Sequence, residues 1–293
     1  MSTTLSGILA YPVTPFAADG SIDTARLHAL VDTLVAEGVH AIAPLGSTGE
    51  AAYLDEREWN LVVDTTVNAV AGRIPVVVGA SDLTTANTVR RAEYAQHAGA
   101  DAVMVLPVSY WHLSDRELEA HFRSVSDSID LPIMVYNNPA TSGIDMRPEL
   151  LAELFESVPN VTMVKESTGD IDRMNRLNEL TERRLPIFNG SNPLILEALR
   201  VGATGWCTAA PCLRPRLCLE LFSAAAEGRF DRAGEIYESL RPLLQFIVAG
   251  GLPVTVKSGL DILGASAGDP RAPLLRLKEA DRAALSHLLA ATA

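Results

Sequence analysis

The chain has 293 residues, 48% of them hydrophobic and 20% charged, with 24 basic against 36 acidic side chains. At ~100–200 residues per domain this is one large domain or two ordinary ones, and the composition excludes a disordered or coiled-coil chain. A net charge of −12 repels phosphate backbones, and no apolar run reaches the ~18–20 residues that span a bilayer, so neither nucleic acid nor a membrane is an expected partner.

Eight short apolar runs alternate with segments of helical period: 7–16, 40–47, 75–81, 102–108, 132–139, 161–167, 186–192 and 204–210. Most are near-continuous in Val, Ile, Leu, Met and Ala, as in strands buried on both faces of a parallel sheet. After the first run, Asp23 caps a helix with the apolar stripe Leu27, Leu30, Val31, Leu34 and Val35, which Gly38 stops. After the second, Asp55 with Glu58 forms a capping-box pattern ahead of Trp59, Val62 and Val63. Ser114 with Glu117 repeats it ahead of Leu118, Phe122 and Val125, while Pro148 and Pro193 stand at first-turn positions. A strand, a helix and two loops take roughly 25–30 residues, and eight such units are the arithmetic of an α/β (β/α)8 TIM barrel. A doubly wound sheet would want a Gly-rich loop after its first strand, and Pro12-Val13-Thr14-Pro15-Phe16 cannot make one.

Beyond Ala210 the alternation stops. Segments 217–227, 230–248 and about 254–264 read as helices, followed by Pro273 and a last helical stretch to Leu289. The expected division is a barrel over 1–225 and a C-terminal helical appendage over 226–293, packed on it because no Gly-, Ser- or Pro-rich linker intervenes. The stripe Leu243, Leu244, Phe246 and Ile247 reads as core, with a subunit contact as the alternative. The segment Met1–Leu5 lacks the basic and apolar regions of a signal peptide, so a cytoplasmic location is expected. Cys207, Cys212 and Cys218 are an odd count with no zinc spacing and read as buried or half-buried free thiols. The six histidines show no i,i+4 pair, and no metal is expected.

A barrel presents its reactive groups at the C-terminal ends of its strands. Three run ends stand out: Gly46-Ser47-Thr48-Gly49-Glu50, Tyr136-Asn137-Asn138-Pro139, and Lys165-Glu166-Ser167-Thr168-Gly169. Lys165 alternates in register with Val161 and Met163, which puts all three on one face of a strand. On the interior face, desolvation favours the free amine of a lysine over its ammonium, and such an amine forms Schiff bases with ketones and aldehydes. The ordinary alternative is a lysine that snorkels outward or pairs with an acid such as Glu166. The 46–49 turn offers two hydroxyls and successive backbone N–H groups that suit a carboxylate, or it is a plain turn. Tyr136 is either an interfacial aromatic or a phenol placed to move protons.

The Gly-Ser-Thr-Gly-Glu turn, the Tyr-Asn-x-Pro segment, the Lys165 strand and Asn189-Gly190, in that order, resemble the dihydrodipicolinate synthase / N-acetylneuraminate lyase family of pyruvate-dependent class I aldolases. The resemblance runs from about Gly7 to the C-terminus. It implies a (β/α)8 barrel with C-terminal helices, a homotetramer made of two tight dimers, and an imine between Lys165 and the keto carbon of a 2-oxo acid. It further implies that Ser47 and Thr48 hold the carboxylate, that Tyr136 is the general acid/base, and that Gly190 lines the pocket through its backbone. Lys165, Tyr136 and Thr48 are thus the catalytic candidates. Ser47, Thr48, Gly190, Ser167 and Thr141 are the substrate-binding candidates, and no metal or organic cofactor is needed.

Departures from the best-known members bear on the substrate. Dihydrodipicolinate synthases carry an arginine after the Tyr-Asn-x-Pro segment, and here Thr141 stands in its place. A hydroxyl cannot replace a bidentate guanidinium contact. Those enzymes also carry a Tyr-Tyr pair after the fourth strand. Here the run reads Pro107-Val108-Ser109-Tyr110, which alters the proton relay or displaces it to Tyr110. Sialic acid lyases have acidic residues just after the glycine matched by Gly190, and here Asn192 and Pro193 occupy that place. The expected activity is a Schiff-base lyase, aldolase or dehydratase, on pyruvate or a short 2-oxo sugar acid. The alternatives are dihydrodipicolinate synthase itself and a non-catalytic 2-oxo acid sensor.

Overall fold

The computed structural model describes residues 5–292; the segment Met1–Thr4, most of the stretch inspected for an export signal, lies outside them. Eight strands fall inside the eight apolar runs: β1 Gly7–Ala10, β2 Ala41–Ile42, β3 Val77–Gly79, β4 Ala102–Val105, β5 Ile133–Asn137, β6 Val161–Glu166, β7 Ile187–Asn189 and β8 Gly205–Thr208. They form one parallel sheet in the order β2-β1-β8-β7-β6-β5-β4-β3. Tyr11 N donates to Thr208 O at 3.0 Å beyond the end of β1, and a parallel Ile42–Val76 bridge continues β2 towards the segment that opens β3. The fold is a (β/α)8 barrel, as the run spacing predicts.

The helices are α1 Thr24–Glu37, α2 Glu56–Val70, α3 Thr85–Ala98, α4 Asp115–Ser126, the one-turn α5 Pro139–Ser142, α6 Pro148–Ser157, α7 Ile171–Leu180, α8 Ile195–Arg200 and α9 Pro215–Ala226. A C-terminal helical part follows: α10 Phe230–Ala249, α11 Leu252–Ile262 and α12 Glu279–Ala291. The start signals work as the residue types require. Asp23 accepts from Arg26 N, and both the Asp55–Glu58 and Ser114–Glu117 capping boxes close in both directions. Pro193 opens a 3-10 turn, Asn192–Leu194, that leads into α8.

The chain divides into two compact units, one running up to Val76 and resuming at Thr208, the other spanning Val77–Cys207. In the first, α10 packs on α9 and α12, and α11 packs on the turn Ser47–Gly49. Leu243, Leu244 and Ile247 of α10 are buried, as their spacing predicts, while Phe246 of the same stripe is only half-buried. In the second, β3 to β7 are each buried along nearly their whole length, which is why, Thr162 of β6 apart, their sequences stay apolar until their last residues. No helix among the described residues is long and apolar enough to cross a membrane.

Candidate active site

Within the Val77–Cys207 unit, the parallel ladder between β5 and β6 aligns Tyr136 with Lys165 and, one step further, Asn137 with Glu166. Side chains alternate along a strand, so one aligned pair occupies each face of the ladder. Lys165 is 5% exposed, and its Nζ lies 3.8 Å from the centre of the Tyr136 ring. The Tyr136 ring, itself buried, offers its electron-rich face to the nitrogen. Asn138, two residues beyond the tyrosine, donates from Nδ2 to Tyr136 Oη at 2.7 Å. Because an amide N–H only donates, the phenol oxygen accepts that bond and its own proton is left to serve another partner.

The opposite face explains where Glu166 goes. Its carboxylate accepts from Thr168 N at 2.7 Å and Asn137 Nδ2 at 3.1 Å, and lies 3.5 Å from Arg173 Nε on α7. Asn137 in turn accepts from Met146 N at 3.0 Å, and Arg173 also bonds Asp145. This network staples the C-terminal ends of β5 and β6 to α7 and to the loop after α5. It also commits the Glu166 carboxylate to groups on the face away from the Tyr136–Lys165 pair.

Gly190 completes the wall. A Cβ built there would overlap Ser167 Oγ and come within 2.8 Å of Lys165 Cε. No side chain larger than hydrogen fits at 190 while Lys165 and Ser167 hold their places, a steric reason for glycine independent of backbone conformation. The Ser167 hydroxyl is buried without a hydrogen-bond partner. A buried hydroxyl left unsatisfied is costly, and one standing against the lysine stem is placed to bond a ligand there. Lys165, Tyr136, Ser167 and Gly190 are therefore brought together. Thr141 is exposed on α5, and Tyr110 is 92% exposed, edge-on to Trp111 with ring centres 6.1 Å apart.

In the other unit, Ser47–Gly49 form a 3-10 turn, with Thr48 buried and Ser47 half-buried. Gly49 N donates to Gly46 O at 3.0 Å, and Thr14 Oγ1 donates to Gly49 O at 2.7 Å. The turn is flanked by two residues in the left-handed region, Leu45 at φ 62° and Glu50 at φ 57°. Asn138 and the Asn137–Glu166–Arg173 network escaped the sequence reading. The adjacent asparagines of Tyr-Asn-Asn-Pro were the available signal, but only the ladder shows which one faces the phenol.

The chain matches the dihydrodipicolinate synthetase family over residues 4–292. It is 33% identical over 284 residues to the 4-hydroxy-tetrahydrodipicolinate synthase of Methanothrix thermoacetophila, covering 97% of this chain and 95% of that one. It is 35% identical over 275 residues to the enzyme of the same name from Methylobacterium radiotolerans, covering 94% and 91%. Among solved structures, a Pseudomonas aeruginosa protein provisionally described as a dihydrodipicolinate synthetase superposes with a TM-score of 0.98 at 51% identity, covering 99% of this chain and 100% of that one. From the match along nearly its whole length, the chain belongs to the dihydrodipicolinate synthetase family.

Proposed function

We propose that this protein is a lysine Schiff-base lyase acting on pyruvate or a short 2-oxo sugar acid. The observation that carries the reading is the buried Lys165 amine against the Tyr136 ring, on one face of the β5–β6 ladder. In the proposed reaction the Lys165 amine attacks the keto carbon, and the carbinolamine, its hydroxyl taking a proton from Tyr136, loses water to give a protonated imine. That imine draws electrons from C3, so a C–C or β C–O bond at that carbon breaks, or a C–C bond forms, through an enamine. Tyr136 donates or removes the proton, with Asn138 holding the phenol oxygen. The imine is itself the electron sink, so the proposal calls on no metal or organic cofactor.

Family membership supports Ser47 and Thr48 as the carboxylate cradle and Thr48 as a catalytic residue. The unsatisfied Ser167 hydroxyl supports a substrate that carries a hydroxyl or carbonyl beside the imine carbon. Thr141, exposed and without a guanidinium, suits a substrate that lacks the second carboxylate of a dicarboxylic product. Resemblance also supports a cytoplasmic homotetramer, which the mass of the particle in solution tests.

The second reading, condensation of pyruvate with aspartate semialdehyde, is favoured by the names of the relatives at 33–35% identity. A kcat/KM with that semialdehyde well above that for every 2-oxo sugar acid would select it. Borohydride reduction in the presence of pyruvate, read by intact mass, tests the common core. An adduct on the native protein and none on Lys165→Ala is expected. No adduct on the native protein would leave a 2-oxo acid sensor, and an adduct surviving on Lys165→Ala would move the nucleophile elsewhere.

A further inference from the structure

The unit that carries the Ser47–Gly49 turn contains a second buried lysine. Lys257, on α11, is 2% exposed, and its Nζ lies 2.5 Å from Glu50 Oε1, whose side chain is also fully buried. The other carboxylate oxygen, Glu50 Oε2, accepts from Arg271 N at 2.7 Å. Both oxygens of the residue that ends the turn are thus held by the C-terminal part of the chain, more than 200 residues away in sequence.

The holders are themselves held. Lys257 Nζ donates to Asp269 O at 3.0 Å and sits 4.0 Å from the centre of the Phe16 ring. The Arg271 guanidinium stands 4.3 Å from the same ring and pairs with Glu58, the capping-box residue of α2, and with Tyr53 O. Gly268 lets this segment lie directly against the Phe16 backbone, where a Cβ would collide.

Two facts point beyond packing. Buried ion pairs are weak stabilisers, because desolvation offsets most of the attraction and an apolar pair of similar volume serves a core equally well. The left-handed conformation of Glu50 and Leu45 is one that L side chains keep only where their surroundings enforce it. A bare carboxylate at Glu50, two residues from Thr48, would in addition repel an incoming anion.

We propose that Lys257 is a positioning residue for the 46–49 turn. It acts through Glu50, holding the turn in its left-handed exit and cancelling the Glu50 charge, so that the turn accepts the carboxylate of a 2-oxo acid. This rests on the reading of that turn as the carboxylate cradle.

The test compares borohydride trapping by pyruvate with trapping by hydroxyacetone, a ketone with no carboxylate, in the full-length protein. Lys257→Met is expected to lower the pyruvate-to-hydroxyacetone ratio at least ~10-fold, the scale of a charge-assisted contact, with Lys257→Arg recovering part of it. A purely structural role would lower both ketones alike, so an unchanged ratio in folded Lys257→Met overturns the inference while leaving the imine chemistry standing. If Lys257→Met does not fold, Lys257→Gln, which keeps a polar tip but removes the positive charge, carries the same readout: a fall in the ratio supports the inference and an unchanged ratio overturns it. No adduct on the wild type with either ketone overturns the underlying reading and this inference with it.

Discussion

Tyr136 and Lys165 are lateral neighbours across the β5–β6 ladder, and the lysine nitrogen sits 3.8 Å from the centre of the tyrosine ring. A parallel register places the two side chains at the same height on the same face, so neither needs a strained rotamer to reach the other. The two groups that the proposed reaction uses, a primary amine and a phenol, are thus set side by side by the backbone register.

Asn138 donates a hydrogen bond to the phenol oxygen of Tyr136. Replacing it by Leu removes the 2.7 Å bond to Tyr136 Oη. One hydrogen bond of this kind corresponds to roughly 2–10-fold, so kcat should fall by that factor while KM for the 2-oxo acid and the melting temperature stay near wild type. Tyr136→Phe should slow turnover further, by ~10²–10⁴. Steady-state kinetics on the two variants check the order.

Gly190→Ala pushes a methyl into Ser167 Oγ and the Lys165 stem. Overpacking of a buried site costs about 1–3 kcal/mol, and the displaced lysine should also lose most of its reactivity. Thermal melts and borohydride trapping on the same sample should fall together. Wild-type trapping in the alanine variant would show that the stem has room.

His121, buried on α4 with Nδ1 at 2.9 Å from Thr85 Oγ1, makes stability pH-dependent. Burial holds its pKa below the ordinary histidine value of 6.5. The unfolded chain therefore takes up the proton first as pH falls, so this residue's contribution is intact above ~6.5 and declines below it. The melting temperature should drop between pH 7 and 5.5, and His121→Gln should flatten that slope.

The three thiols should be inert in the native protein. All are buried; burial pushes Cys212 up to about 12, and Cys218 is raised by burial and by the neighbouring Cys212. Thiolate is the reactive form. A thiol reagent at pH 8 should label none of the three quickly in buffer and all three in denaturant.

All eight strands and the long helices were legible in the sequence because their causes are local. A strand buried on both faces must be apolar throughout, as at Ile133–Val135, and a helix start must satisfy its own N–H groups, as Asp55 and Ser114 do. Lys165 was legible for the same reason, since a charge late in an apolar strand is itself an anomaly. Ser167 and Gly190 were named as candidates, but the reason glycine is required at 190 is a contact with residues more than 20 positions away.

Local pattern therefore determined the fold class, the family and the nucleophile of the proposed reaction. Only the tertiary structure decided that Asn138 rather than Asn137 faces the phenol, that Glu166 turns to Arg173, and that Glu50 is held by Lys257 and Arg271. Periodicity constrains which face a residue takes but carries no information about partners brought in from distant segments. Those partners are set by the ladder register and by the return of the C-terminal helices onto the Ser47–Gly49 turn.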